Sequence, residues 1–178
     1  MNIQELKEKS SQRVDPKCSV ATQCGGCQLQ HQSYASQLTF KESLLQERLS
    51  RFISIETNTI KPILHASIPF SFRNKIQLSF AYGTQKSELA IGMYASRSHR
   101  VVDMEYCPII SDHMNAILPK FRNFYRQFPI SIFDEHTGQG CLRHLTIRSS
   151  HHTHDIMILL TIGEPLPHQE MLISFLTP

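Results

Sequence analysis

The chain has 178 residues, 40% of them hydrophobic and 19% charged, with a formal net charge of +3. That balance excludes an intrinsically disordered chain, and the mild basic excess permits a polyanionic partner without demanding one. The longest apolar run, Ile156 to Ile162, is far too short to cross a bilayer, and the start of the chain has no signal-peptide core. A cytoplasmic location with no membrane contact is the expectation. In that reducing compartment, five cysteines argue for metal ligation or free thiols rather than a disulfide framework.

In chain order, residues 1–17 read as a polar, partly helical lead-in ending at Asp15-Pro16. Residues 18–31 are a cysteine loop, in which Gly25-Gly26 supplies the backbone freedom of a tight ligand wrap. Residues 33–53 predict an amphipathic helix capped by Ser33. Its stripe of Tyr34, Leu38, Leu45, Leu49 and Phe52 is expected to pack on the core. After a Pro-punctuated loop, "RNKIQLSFAY" alternates, with Ile76, Leu78 and Phe80 on one face. "ELAIGMY" and "HRVVDMEY" are further short strands. Residues 112–128 predict a helix with Met114, Ile117, Leu118, Phe121 and Phe124 inward, kinked or ended early by Pro119. "CLRHLTIRS" and "DIMILLTIG", joined by the polar "SHHTH", predict an antiparallel hairpin with a solvated tip. The expected fold over residues 32–178 is therefore α+β, a mainly antiparallel sheet with flanking helices.

The densest chemical signal is "KCSVATQCGGCQLQH", which places Cys18, Cys24 and Cys27 within ten residues. Three thiolates leave a tetrahedral zinc site or an iron–sulfur cluster one ligand short. Two routes complete the set: His31, giving a local zinc site, or the distant Cys107, giving four thiolates. Cys107 precedes Pro108, as the last cysteine of bacterial ferredoxin runs precedes proline, and it ends a strand. "EYCPII" also contains no second zinc knuckle. The spacing favours the all-cysteine set and leaves the zinc set open. Cys141, within a strand, reads as a buried small hydrophobe.

"CGGCQLQH", "YASQLTFKESLL", "FRNKIQLSF", the lone "CP" and "GQGCLRHLTIRSS" follow one another over residues 18–163. This succession resembles the iron–sulfur members of the S-adenosylmethionine-dependent uracil-5 RNA methyltransferases, best known on 23S ribosomal RNA. The resemblance implies a [4Fe-4S] cluster on Cys18, Cys24, Cys27 and Cys107, and a central domain that grips RNA beside it. It also implies a reaction in which a cysteine thiolate adds to C6 of uridine before methyl transfer to C5. The chain departs from the family in two places. Seventeen residues ahead of the cysteines leave no room for the β-barrel that many relatives carry. No glycine-rich strand–helix loop and no downstream nucleophilic cysteine are present either: Gly138-Gln139-Gly140 lacks the third glycine and precedes a strand. The expectation is a chain without the S-adenosylmethionine-binding catalytic domain, inactive alone. The alternative is a stand-alone RNA-binding module stabilised by an iron–sulfur cluster or zinc.

The RNA-facing candidates are Arg73 and Lys75 at the head of one strand and Arg143, His144 and Arg148 along another. Arginine forks and lysine point charges position a phosphate backbone without reading its sequence. On a strand's polar face such residues are ordinarily solvated charge, and the resemblance is what turns them into RNA contacts, with ribosomal RNA the expected partner and DNA not expected. Phe72 reads as a core or loop-anchoring side chain, with base stacking the alternative. Arg97 and Arg100 read as solvated loop charges, and Asp103 and Glu105 as structural partners within reach of Arg100.

Overall fold

The computed structural model describes residues 8–52, 60–85 and 88–177. Five strands form one antiparallel sheet in the order β3-β2-β1-β4-β5: β1 Lys75–Tyr82, β2 Leu89–Tyr94, β3 Val101–Asp103, β4 Leu142–Ser149 and β5 Ile156–Ile162. The alternation of β1 sets the two faces. Ile76, Leu78 and Phe80 turn inward, joined by Leu145 and Ile147 of β4 and Ile91 of β2, all nearly or wholly buried. Register fixes which residues share the other face: Lys75 opposes Arg148, Gln77 opposes Thr146 and Ser79 opposes His144.

Helices α2 (Asp112–Asn115), α3 (Ile117–Gln127) and α4 (Gln169–Leu176) accompany the sheet. Met114, Ile117, Leu118, Phe121 and Phe124 are buried as the periodicity requires. The break in this region falls at Ala116 and not at Pro119. Proline stands in the first turn of α3, where its missing N–H has no helical partner to lose. Helix α4 was not anticipated; its Leu172 is buried and its Phe175 meets Phe124 edge-on, centroids 5.5 Å apart.

Three expectations are corrected. The stripe of α1 (Tyr34–Ser50) does not pack on the core: the helix buries no residue, and Leu45 is 48% and Phe52 84% exposed. What anchors α1 is polar. The Ser33 hydroxyl caps it by accepting the Ser36 N–H, the Glu42 carboxylate accepts the Ile63 N–H, and the Tyr34 hydroxyl accepts the Ala66 N–H. The expected helix end at residue 53 lies outside the described residues. The lead-in is not helical over residues 8–17; it runs as turns beside residues 31–33, where Val14 N–H donates to His31 O and Ser33 N–H to Gln12 O. Residues 1–7 lie outside the described residues. Asp103 pairs with Arg122 at 2.6 Å, not with Arg100, because α3 carries that guanidinium across to the β2–β3 edge, where it also donates to the carbonyls of Leu89 and Met104.

Candidate metal centre and nucleic-acid interface

The cysteine loop is a succession of tight turns: Ala21 N–H donates to Cys18 O, and Gln23 and Cys24 N–H both donate to Val20 O. It is fastened to the end of β2, where Gly25 N–H donates to Tyr94 O at 2.9 Å and Cys24 bridges to Ala95. The glycine pair serves close approach. A Cβ on Gly25 would stand 2.8 Å from the Tyr94 carbonyl oxygen, and one on Gly26 would stand 2.7 Å from the Met93 sulfur. Neither glycine has the left-handed backbone that the freedom argument requires.

Cys107 reaches the same place from the other side of the sequence. It is 6% exposed, within the core to which Cys24 and Cys27 pack from the loop. Asn115 of α2, itself 6% exposed, holds it at both backbone atoms. Cys107 N–H donates to Asn115 Oδ1 at 2.8 Å, and Asn115 Nδ2 donates to Cys107 O at 3.0 Å and Ser111 O at 3.2 Å. Sequence reasoning missed Asn115, and a lone asparagine eight residues past a cysteine gives no signal.

The thiols interact electrostatically across the two segments. Burial pushes the Cys107 thiol up, and the neighbouring Cys18, Cys27 and Cys24 add to that rise, opposed by the Ile109 N–H. Burial likewise raises Cys24, with Cys18 and Cys27 adding to it, while the Gly26 N–H and Arg73 oppose. A backbone N–H thus already points at one of the sulfurs, Gly26 N–H at 3.4 Å from Cys24 Sγ. Among the described residues no group of three or more His, Cys, Asp or Glu side chains is drawn together as it stands to hold a metal ion. Cys141, 2% exposed, is the expected buried thiol and donates to Glu164 O.

On the open face of the sheet, Lys75 and Arg148 are both exposed and directly opposed. Arg73 lies just ahead of β1, bridged in parallel to Ile110 and close enough to Cys24 to influence its thiol. Arg143 is engaged within the chain: Nε and Nη2 form a fork on Glu135 at 2.9 and 3.0 Å, and the guanidinium lies 4.9 Å from the Phe133 ring centroid. His144 Nδ1 is 3.2 Å from Ser79 Oγ, and burial, then Arg143, lowers its pKa below the ordinary value. It stands as a neutral hydrogen-bonding group rather than a cation. Phe72 neither anchors a loop nor enters the core: it is 64% exposed. Arg97 and Arg100 are exposed, as expected.

The fold is shared with a crystal structure of Pyrococcus abyssi tRNA (uracil-54, C5)-methyltransferase in complex with S-adenosyl-L-homocysteine. The TM-score is 0.71 at 23% identity, over 96% of this chain and 37% of that one. No protein-family model matches. In sequence the chain is 40% identical over 169 residues to an uncharacterized RNA methyltransferase of Clostridium tetani, covering 94% of this chain and 36% of the relative. It is 38% identical over 173 residues to one of Halalkalibacterium halodurans, covering 97% and 37%. The chain is thus homologous to proteins named RNA methyltransferases and spans little more than a third of the length of these curated relatives. Among the described residues no helix is long and apolar enough to cross a membrane.

Proposed function

We propose that these residues are the cluster-bearing, RNA-binding portion of an S-adenosylmethionine-dependent uracil-5 RNA methyltransferase acting on ribosomal RNA, 23S RNA foremost. Methyl transfer is assigned to an S-adenosylmethionine-binding domain outside the 178 residues, so that the chain alone binds RNA without modifying it. What supports the RNA class is homology to proteins named RNA methyltransferases across nearly the whole chain, and a sheet face on which two cations meet.

The single observation behind the cluster is that Cys24 and Cys27 of the loop pack against the core that holds Cys107, some eighty residues further along the chain. Burial, with the neighbouring thiols adding to it, raises the cost of ionising Cys24 and Cys107, and a bound metal centre would remove that cost. Cys18, Cys24, Cys27 and Cys107 would hold the group. The all-thiolate donor set and the Gly26 N–H aimed at the Cys24 sulfur would suit an iron–sulfur group. When bound, a [4Fe-4S] cluster would supply a covalent tie between the loop and the sheet. The chain's own residues do the rest: Arg73, Lys75 and Arg148 take phosphates, and His144 offers a neutral hydrogen-bonding edge. Arg143 joins them on releasing Glu135.

Purification without oxygen, followed by iron and sulfide analysis and a visible spectrum, tests the reading. Iron and sulfide in equal amounts, about four each per chain, lost in Cys107→Ser and kept in His31→Ala, is the expected result. Zinc retained in Cys107→Ser and lost in His31→Ala would overturn the all-cysteine assignment.

A further inference from the structure

Phe72 is turned into solvent by the backbone on either side of it. Ser71 has φ 53°, a left-handed conformation that a residue with a Cβ adopts at a cost. Ser71 N–H donates to Pro108 O at 3.0 Å and Arg73 N–H donates to Ile109 O at 2.8 Å. The strip 71–73 is therefore fastened along the residues that follow Cys107, and the side chain between the two fastened positions points away. An exposed phenylalanine forgoes the burial that most large apolar side chains find. A strained residue that keeps it exposed suggests a use for the ring.

The surroundings specify the use. Phe72 stands between two recesses. One, of about 730 Å³, is lined also by Phe70, Tyr34, Lys17, Lys41 and Gln32. The other, of about 300 Å³, is lined also by Arg73, Asn74 and His151. Lys17 Nζ lies 4.3 Å from the Phe70 ring centroid, so an ammonium is already held against an aromatic face. Gln32 carries a buried carbonyl oxygen without a hydrogen-bond partner, the one such side-chain atom among the described residues. Flat rings with cations on both flanks match a nucleobase stacked on an aromatic face with its phosphates paired to Lys and Arg. A base within a duplex is already stacked on its neighbours and does not offer its face.

We propose that Phe72 is the stacking platform for an unpaired RNA base, with Lys17 and Lys41 on one side and Arg73 on the other holding the adjoining phosphates. The inference rests on the RNA-binding reading above and adds to it both the form of RNA, single-stranded or looped, and the residue that selects it.

The test uses the full chain, a short RNA carrying 2-aminopurine, and the same RNA annealed to its complement. Fluorescence quenching on the single strand is expected, with affinity about tenfold weaker in Phe72→Ala and kept in Phe72→Tyr. The salt dependence should be unchanged between the two, because no phosphate contact is removed, and duplex binding should be unaffected. Phe72 is exposed, so matching thermal melts show that the alanine variant is folded. Undiminished single-strand affinity in Phe72→Ala overturns the platform. If Lys75→Ala with Arg148→Ala still flattens the salt dependence of that binding, the RNA reading survives alone. Failure of the unmodified chain to bind either RNA overturns both.

Discussion

Lys75 and Arg148 are direct cross-strand partners on the open face of the sheet. Like charges set opposite each other destabilise an antiparallel pair, by a few tenths of a kcal/mol up to about 1 kcal/mol. The next strand gives no relief, since Arg148 is opposed there by Met157, which is 52% exposed. A polyanion running across β1 and β4 would relieve the repulsion. The double variant Lys75→Ala, Arg148→Ala should therefore melt at the same temperature or slightly higher, yet bind RNA more weakly. Its log–log salt slope should fall by about two, one for each phosphate contact removed. An unchanged slope would show that the pair meets water and not RNA.

Asn115 fixes the backbone of Cys107 from inside the core, bonded to its N–H and C=O together. Asn115→Leu leaves the Cys107 N–H buried without a partner, a loss of about 1–3 kcal/mol, while the Cys107 carbonyl keeps only the longer bond from Ile110 N–H at 3.3 Å. Urea denaturation of the metal-free protein should register the destabilisation. Iron content after anaerobic purification should fall as well, because the thiol is no longer presented at a fixed angle. Full stability together with full iron content would mean that Cys107 needs no such clamp.

His144 gives the chain an acid-sensitive element. Burial, then the charge of Arg143, lowers its pKa, with Glu135 opposing. The unfolded chain, whose histidine titrates near the ordinary value of 6.5, then binds the proton more readily than the folded one. Stability is whole above that value and declines as pH falls through it. In His144→Gln the decline between about pH 7 and 5 should shrink. Asp134, lowered chiefly by the His136 N–H, loses its contribution only further into acid, so the two windows separate. Unfolding free energies measured every half pH unit would show an identical slope in the variant if His144 has no part.

The parts of the fold governed by local pattern were legible in the sequence. The strands β1, β4 and β5 and the buried face of α3 follow from alternation and helical spacing alone. Helix α1 was legible as a helix but not in its surroundings, because apolar residues at helical spacing say that one face is apolar without saying that anything covers it. The Arg122–Asp103 pair joins α3 to the end of a three-residue strand. Its nearer competitor, Arg100, was the natural choice for an argument made along the chain. Around the cysteines, the trio and the lone Cys-Pro were readable from spacing, while Asn115 and the outward Phe72 depend on backbone geometry that no residue pattern encodes.

Two glycines make opposite predictions. At Gly92, paired to Ser79 on one side and Asp103 on the other, a Cβ would overlap the Val102 carbonyl oxygen. The obstacle is backbone, so it cannot rotate away; β3 must leave β2. Because β3 ends four residues before Cys107, its displacement should also separate that thiol from the loop held on Tyr94 and Ala95. Gly92→Ala is expected to cost more than about 3 kcal/mol and to lose iron. At Gly138 a Cβ meets nothing within 4 Å, but φ is 68°, so only backbone strain is added. Gly138→Ala should cost about 1–2 kcal/mol and keep its iron, since the 138–140 turn leads into β4 far from the cysteine loop in the chain. Equal losses in the two variants, read by denaturation and iron analysis together, would contradict the placement of β3 and of the thiol that follows it.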